Sequence, residues 1–292
     1  MKNRAITDLL AQDKPTLSVE FYPPKDETGG ELIVRSAVEI AQEVKPDFVS
    51  ITYGAGGSTR ERTFRYASKL KDENNFNVMP HLTCVGSSKA EIVDIVEGYV
   101  QAGFCNLMAL RGDPPKGETE FKPHPDGLAY ASDLMALLRE KFAGLCLGVA
   151  AYPEVHPEAA SAEQDLKHLK LKVDAGASFI TTQLFYRTEN FVRFAENCRS
   201  AGITIPIVPG LMPILSAKAA KRFCSDIPAP LLEALNKAGD DPQAIQAVSV
   251  DWTFRQVNEL SEAGFKNVHL YIMNRSAIAV PLMKRLQDAG IY

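Results

Sequence analysis

Eight short apolar segments recur along the 292-residue chain, and each runs directly into a polar or glycine-rich cluster. Stretches of helical periodicity lie between them. Strands that alternate with helices in this way are typical of a parallel sheet, and eight such units predict a (β/α)8 TIM barrel. The segments are SVEFYPP (18–24), FVSITYGAGG (48–57), MPHLTC (79–84), LMALRGDPP (107–115), GVAAYPEVHPE (148–158), FITTQLFY (179–186), IPIVPGLMP (205–213) and VHLYIMNR (268–275).

The element boundaries follow from this pattern, and the Ser87-Ser88 pair and Ser161 are placed to cap the helices that follow them. No linker or low-complexity tract divides the chain, so we expect residues 1–292 to form a single barrel domain, with extra helices before strand eight. Strands are predicted at Leu17–Phe21, Phe48–Thr52, Val78–Thr83, Asn106–Leu110, Leu145–Ala150, Phe179–Gln183, Ile205–Pro209 and Asn267–Ile272. Helices are predicted at 28–44, 59–73, 131–142, 162–175, 189–201, 216–225, 228–263 and 275–288.

Composition excludes several classes of function. A formal net charge of −4 argues against a nucleic-acid surface as the main function. The five cysteines are odd in number and never in CxxC spacing, so we expect neither a disulfide framework nor a metal site. The first residues carry charges throughout and contain no apolar signal region, and no window approaches the roughly 18 apolar residues of a membrane span. We therefore expect a cytoplasmic protein without a membrane partner.

Polar side chains end nearly every predicted strand. Since the carboxyl ends of all barrel strands open onto one face, these residues should meet at a single rim. Each has a structural explanation when taken alone, as a strand cap, a turn ion pair or a buried core histidine. Their concentration on one rim indicates an enzyme. The residues are Glu20, Thr52, His81, Arg111, Asp113, Tyr152, His156, Gln183 and Arg275.

Glu20 is the strongest single candidate for acid chemistry. It lies between Val19 and Phe21, so we expect its carboxyl group to be partly buried. Burial disfavours the charged form and raises the pKa of a carboxyl group, as general acid catalysis requires. A solvated carboxylate at the end of the strand is the alternative interpretation.

A second candidate group lies on the fifth regular helix of the barrel. Asp165, His168 and Lys172 share one helix face at i, i+3 and i+7 spacing. Together with Tyr152 and His156 just upstream, they could hold the ribose and phosphates of a dinucleotide. A solvated helix face explains the same spacing, and the residues alone leave both interpretations open.

Longer motifs are more specific than any of these residues. The chain resembles methylenetetrahydrofolate reductase of the bacterial single-domain type, a flavin-carrying (β/α)8 barrel. The matching motifs extend from residue 18 to residue 275, which covers essentially the entire predicted barrel. They are SVEFYPPK, FVSITYGAGGSTRERT, PHLTC, ALRGDPP, YASDL, VAAYPEVHPEA, KVDAGASFITTQLFY, VPGLMPI and LYIMNR.

The resemblance implies FAD as cofactor, NAD(P)H and 5,10-methylenetetrahydrofolate as substrates, a product that feeds methionine synthesis, and a homodimer or homotetramer. It implies that Glu20 donates a proton and that Asp113 stabilises positive charge during catalysis. The implied FAD-binding residues are Thr52, Tyr53, Ala55, His81, Arg111, Gly112, Asp113, Tyr130, Ala131, Tyr152, His156, Asp165, His168 and Lys172. The implied substrate-binding residues are Glu20, Asp113, Gln183, Phe223 and Arg275.

The chain departs from the family pattern mainly on one helix. It reads DLKHLKLKVDAGA where the bacterial pattern commonly reads DLLNLKRKVDAGA, which puts His168 in place of an asparagine and Leu171 in place of an arginine. Loss of a charged hydrogen bond from that arginine would weaken FAD binding by about 1.5–3 kcal/mol. Ala219 likewise replaces a glutamine expected near the folate.

Two alternatives to a flavin-dependent reductase stay open at the level of sequence. One is a folate- or pterin-handling barrel without a redox cofactor, such as a methyltransferase. The other is a non-catalytic subunit that binds folate or a partner, for which the departure at Leu171 leaves room.

Overall fold

The computed structural model of the protein describes residues 3–24, 26–54, 60–114, 117, 121–214, 216–224 and 226–292. Eight parallel strands in this part of the chain form a closed barrel, in which each strand pairs with its neighbours in sequence and the last pairs with the first. The predicted (β/α)8 barrel is therefore confirmed. The strands are β1 (Leu17–Phe21), β2 (Phe48–Ile51), β3 (Val78–Thr83), β4 (Asn106–Leu110), β5 (Cys146–Ala151), β6 (Phe179–Leu184), β7 (Ile207–Leu211) and β8 (Val268–Tyr271).

Helices surround the barrel and connect its strands. A helix follows every strand, and two more helices lie between β7 and β8 beyond the one that follows β7. The helices are α1 (Ile6–Leu10), α2 (Glu27–Glu43), α3 (Arg60–Asp72), α4 (Lys89–Gln101), α5 (Ala131–Lys141), α6 (Ala162–Asp174), α7 (Thr188–Ser200), α8 (Ala217–Phe223), α9 (Ala229–Ala238), α10 (Pro242–Glu262) and α11 (Ser276–Asp288).

The predicted helical stretch 228–263 consists of two helices, α9 and α10. Gly239 ends α9 with a positive φ of 57°, a conformation that glycine adopts without steric cost. Asp241 then caps α10, because its side chain accepts a hydrogen bond from the Gln243 N–H, and Pro242 takes the first helical position.

Both predicted serine caps are present. Ser88 and Glu91 form a complete capping box at the start of α4. The Ser161 side chain accepts a hydrogen bond from the Gln164 N–H at the start of α6. The predicted strand Ile205–Pro209 is shifted, since β7 spans Ile207–Leu211.

The short helix α1 was not predicted, because five residues are too few to show helical periodicity. It packs Ile6, Leu9 and Leu10 against side chains from the barrel interior, near the amino ends of the strands. This apolar layer closes the end of the barrel opposite the carboxyl ends of the strands. Its strand residues are Phe48, Met79, Met108, Cys146, Phe179 and Val208.

Asparagine side chains hold the amino-terminal segment in place. The Asn106 Oδ1 accepts a hydrogen bond from the Ile6 N–H at 2.9 Å, while its Nδ2 donates to the Arg4 carbonyl at 2.9 Å. Asn3 Nδ2 donates to the Val78 carbonyl at 2.7 Å. These bonds satisfy backbone groups that would otherwise be buried without partners.

Three expectations from the sequence can be compared with the described residues. No helix in this part of the chain is long and apolar enough to cross a membrane. The five cysteines are all free thiols. The described histidine, cysteine and acidic side chains form no group of three or more that could hold a metal ion.

We predict that Ile6→Ala destabilises the barrel by about 2–5 kcal/mol, because it removes a fully buried side chain and leaves a cavity in the closing layer. Urea denaturation followed by circular dichroism measures this change. Val34→Ala, at a position that is 37% exposed on α2, is the control and should have little effect. Equal stabilities for the two variants would show that α1 contributes nothing to closing the barrel.

Candidate functional site

A cavity of about 820 Å³ opens at the carboxyl ends of the strands. Residues at or just beyond the ends of all eight strands line it, together with one face of α6 and residues of α7 and α8. This is the face on which a (β/α)8 barrel places its active site. Most of the site residues predicted from the sequence come together in this lining. They are Glu20, Thr52, Tyr53, His81, Arg111, Gly112, Asp113, Ala131, Tyr152, His156, Asp165, Lys172, Gln183 and Phe223.

Three predicted residues lie elsewhere. Tyr130 is 64% exposed at the start of α5, and Arg275 is exposed where α11 begins. His168 is also exposed, so it does not join Asp165 in the lining, although both lie on α6. Ala55 lies outside the described residues.

Glu20 is largely buried at the end of β1, where its side chain is 12% exposed. The Ser50 hydroxyl donates a hydrogen bond to Glu20 Oε2 at 3.2 Å. Two imidazoles approach the same oxygen, with His81 Nε2 at 3.4 Å and His269 Nε2 at 3.5 Å. The carboxyl group is therefore surrounded by groups that can exchange or share a proton with it.

Sequence reasoning missed His269. Its ring is 1% exposed, and its Nδ1 lies 2.8 Å from the Ser18 hydroxyl on the neighbouring strand. The parallel register of β1 and β8 places Ser18 directly opposite His269. The alternation of side chains along the predicted strand eight could have placed this histidine inside the barrel, but its partner on β1 follows only from the barrel closure.

The electrostatics of Glu20 differ from the expectation. Burial, the strongest single influence, raises the pKa of Glu20. The interactions with His269, His81 and Ser50 oppose burial and together hold that pKa below its ordinary value. The expected raised pKa is therefore wrong. For His81, burial lowers the pKa, and the nearby Glu20 carboxylate only partly offsets this effect.

Arg111 forms a bidentate ion pair with Glu158 at the opening of the cavity. Its Nη1 and Nη2 lie 2.6 Å and 2.8 Å from the two carboxylate oxygens of Glu158, and its guanidinium lies 5.0 Å from the centre of the Phe121 ring. The partner of Arg111 is thus Glu158, in the connection between β5 and α6, rather than the nearby Asp113. Asp113 is exposed and lines the cavity.

Gly112 allows the chain after β4 to pass close to β3. Its φ is 91°, and a Cβ at this position would lie 2.7 Å from a Val85 methyl carbon and 2.9 Å from the Thr83 Cβ. Any larger residue would push the connection after β4 away from its neighbour. The positions of Arg111 and Asp113 at the cavity therefore depend on this glycine.

The wall formed by β5 and α6 contains several ordered polar contacts. The ring of Tyr152 packs edge-on against His156, with 4.6 Å between the ring centres. The His156 backbone N–H donates to Asp165 Oδ2 at 2.8 Å, which ties the connection to the first turn of α6. Lys172 donates from Nζ to the Ala150 carbonyl at 2.6 Å and reaches the cavity from the last turn of the same helix.

Lys172 is a cavity-lining lysine whose pKa is lowered by its surroundings. Burial lowers its pKa to about 8, although the nearby Asp165 carboxylate acts in the opposite direction. A lysine placed in this way gains from an anionic ligand, which would offset its desolvation. Leu171, the departure from the family pattern, is 57% exposed and does not line the cavity.

An irregularity in β6 presents Gln183 to the cavity. The register between β6 and β7 shifts between Thr181 and Leu184, and the Thr182 carbonyl accepts a hydrogen bond from the Tyr271 hydroxyl at 2.6 Å. Gln183 Oε1 accepts from the Leu184 N–H at 2.9 Å. Its amide NH2 group, which also hydrogen-bonds to the Tyr152 hydroxyl, is therefore the part of the side chain that can donate to a ligand.

Three buried polar atoms of cavity-lining residues have no hydrogen-bond partner among the described residues. They are the hydroxyl groups of Thr83 and Thr181 and the Nε2 of His81, which lies near Glu20 without hydrogen-bond alignment. Buried polar groups are rarely left unpaired in native proteins. Together with the cationic Arg111 and Lys172, they fit an organic ligand that carries both polar ring atoms and anionic groups.

Comparisons with known proteins agree with this geometry. The family model described as "Methylenetetrahydrofolate reductase" matches residues 5–287. The chain is 38% identical over 279 residues to the 5,10-methylenetetrahydrofolate reductase of Escherichia coli strain K12, covering 94% of this chain and 92% of that protein. It is 37% identical to methylenetetrahydrofolate reductase (NADH) 1 of Arabidopsis thaliana, covering 96% of this chain and 50% of that protein.

A solved structure supports the fold. An uncharacterized protein from Clostridium thermocellum, whose description says that it binds two copies of 5-methyl-5,6,7,8-tetrahydrofolic acid, superposes with a TM-score of 0.66 at 16% identity. The match covers 97% of this chain and 99% of that one. At this identity the likeness concerns the barrel alone. The family model and the sequence relatives, in contrast, cover nearly the whole barrel, and the chain therefore belongs to the methylenetetrahydrofolate reductase family.

Proposed function

We propose that this protein reduces 5,10-methylenetetrahydrofolate to 5-methyltetrahydrofolate, with NAD(P)H as electron donor and FAD as cofactor. The observation that carries the proposal is the placement of Glu20 at the base of the strand-end cavity, in contact with His81 and His269. The reaction needs an acid at the point where the folate ring opens, and this cluster supplies one in a chain of the matching family.

The cofactor would occupy the side of the cavity formed by β2 to β5 and α6. Bound FAD supplies a ring that accepts hydride from the nicotinamide and later delivers it to the folate. Lys172 provides positive charge for its diphosphate, and Thr83 offers an unpaired hydroxyl to its polar atoms. Arg111 lines the same side of the cavity, with its charge paired to Glu158. Tyr152 and His156 form the wall at its edge.

The substrate would occupy the side closer to β1, β6 and α8. Gln183 presents its amide NH2 group to the pterin, and Phe223, which is 39% exposed, offers a ring for stacking. Arg275 is exposed outside the lining, so it can contact only a part of the folate that extends from the cavity. Nicotinamide and folate would both need the same side of the cofactor, so they would bind in turn.

Glu20 would act as the general acid. The protonated carboxyl group donates its proton to the ring nitrogen that leaves the bridging carbon, and the opened ring becomes an iminium cation that can accept hydride. A flat ligand over Glu20 removes further water, and desolvation is the influence that raises its pKa.

Asp113 would stabilise the cation that forms. Its carboxylate lines the cavity, and Arg111 is engaged by Glu158 on the other side of the mouth. The negative charge of Asp113 is therefore available to a positively charged intermediate. A fixed charge directed at a developing opposite charge is the usual basis of electrostatic catalysis.

The purified protein should be yellow, and anaerobic NADH or NADPH should bleach its visible flavin absorbance. Subsequent addition of methylenetetrahydrofolate should restore the colour, because the folate reoxidises the flavin. A visible spectrum recorded after each addition tests all three steps. A colourless protein that cannot be reconstituted with FAD would exclude the proposal, and a colourless protein that still binds folate would favour a non-redox function.

Glu20→Gln should slow the folate half-reaction by about 10² to 10⁴-fold, the usual contribution of a positioned general acid. Flavin content and reduction of the flavin by NADH should stay near the wild-type values, because neither requires this proton. Stopped-flow absorbance of each half-reaction makes the comparison. Glu31→Gln, at an exposed position on α2, is the matched control. An unchanged folate half-reaction would show that Glu20 is not the acid.

Lys172 makes flavin affinity depend on pH. If Lys172 binds the diphosphate, binding takes up a proton once the pH exceeds its pKa of about 8, so the Kd for FAD should rise by up to about tenfold per pH unit above that value. Lys172→Met should bind FAD more weakly at neutral pH and lose this dependence. Quenching of FAD fluorescence by the apoprotein measures both.

Lys167→Met is the control for this measurement. Lys167 is an exposed lysine on the same helix, paired with Glu163 and outside the cavity lining. It should keep the wild-type profile. Identical pH profiles for wild type and Lys172→Met would remove Lys172 from the cofactor site.

A further inference from the structure

The position of the Phe223 ring depends on the contacts made by the segment that follows α8. Phe223 is the last residue of the seven-residue helix α8, and its ring lines the cavity. The backbone leaves the helix at Cys224, which is extended, with φ −146° and ψ 136°. So short a helix cannot fix a side chain at its end by itself, and tertiary contacts must do so.

Those contacts form a cluster that we call the Asn190 network, consisting of Asn190, Glu154, Arg193, Cys224 and Asp226. Asn190 Nδ2 donates to Glu154 Oε1 and to Asp226 Oδ2, each at 3.1 Å, while its Oδ1 accepts from Arg193 Nη2 at 2.8 Å. Its side chain is thus paired on both sides, and Asn190 is only 7% exposed.

Cys224 joins the network from the segment after α8. Its thiol donates to Glu154 Oε2 at 3.4 Å. Burial, reinforced by the charge on Glu154, raises the pKa of Cys224 to about 12, so the thiol keeps its proton and stays a donor. Asp226 is also held by Arg187, whose Nε lies 2.8 Å from Asp226 Oδ1.

The amide of Asn190, at the centre of the network, suits its two carboxylate partners. Two carboxylates, Glu154 and Asp226, converge on one amide, and a neutral group with two N–H donors can bind both without adding charge. An aspartate in place of Asn190 would put a third negative charge there, and an alanine would leave two acids without their shared donor. Phe191, Ala195 and Cys198 supply the buried apolar contacts of α7, and Asn190 is a polar residue buried beside them.

The network connects three separate parts of the barrel. Glu154 follows β5, Asn190 lies in the first turn of α7, and Cys224 with Asp226 follows α8. From this geometry we propose that Asn190 is a positioning residue, which acts through Glu154, Cys224 and Asp226 to hold the Phe223 ring over the substrate side of the cavity. The inference rests on the proposed function, in which Phe223 stacks on folate and nicotinamide in turn.

A double-mutant cycle with Phe223 tests the inference. Asn190→Ala should raise the KM for methylenetetrahydrofolate and for NADH by about threefold to tenfold, within the range of coupling between interacting sites, with flavin content unchanged. In a Phe223→Ala background, the same substitution should change neither KM further. An equal effect in both backgrounds would overturn the inference, because Asn190 would then act without Phe223. Asn236→Ala, at an exposed position on α9, is the control.

A second pair of variants covers the case in which Asn190→Ala fails to fold. Cys224→Ser keeps a donor for Glu154 and should preserve both KM values, whereas Cys224→Ala removes the donor and should raise them in the same direction as Asn190→Ala. Equal KM values for the two Cys224 variants would count against the network. Thermal unfolding midpoints identify any variant whose fold is lost.

Failure of this inference can be told from failure of the proposed function. A protein without flavin, or with flavin that NAD(P)H does not bleach, contradicts the function before any Asn190 variant is made. If wild type completes both half-reactions and the cycle shows no coupling between Asn190 and Phe223, the function stands and the positioning role is wrong.

Discussion

Closure of the barrel by the pairing of β1 with β8 is the interaction on which the site depends. It places Ser18 opposite His269, residues separated by 251 positions in the chain, and the same pairing brings the His269 ring beside Glu20. Without closure, the first strand would present its acid to solvent. The backbone hydrogen bonds that complete the sheet therefore also assemble the proton-bearing cluster.

Glu20 illustrates how burial and neighbouring groups act against each other. Burial alone favours the neutral carboxyl group, and it is the largest influence on this residue. The two imidazoles nevertheless hold the pKa below its ordinary value. A change in the solvent access of Glu20 would therefore shift its pKa, whereas a fully apolar pocket would keep the carboxyl group protonated throughout. In the proposed reaction the acid must give up its proton and regain it, and opposed influences suit that cycle.

Much of the fold follows from the sequence, because the strands of a parallel barrel are short apolar runs bounded by glycine, proline and polar residues. Single-residue patterns could not predict contacts made across the barrel. Glu158 as the partner of Arg111, His269 beside Glu20 and the position of exposed His168 all depend on how separate strands and helices meet. The helix α1 was not predicted because its five residues gain their stability from packing in the apolar layer at the amino end of the barrel rather than from helical propensity.

The apolar layer that α1 forms with the strand residues at the amino end of the barrel has a kinetic consequence. Among the described residues, Ile6, Leu9 and Leu10 seal the amino end of the barrel, and the cavity that reaches Glu20 opens at the carboxyl end, so ligands enter and leave by that end. Under the proposed function, the departure of one product then precedes the arrival of the next reactant along a shared path. Because both reactants would use the same opening of the cavity, each product would compete with the substrate that follows it, without any separate regulatory site.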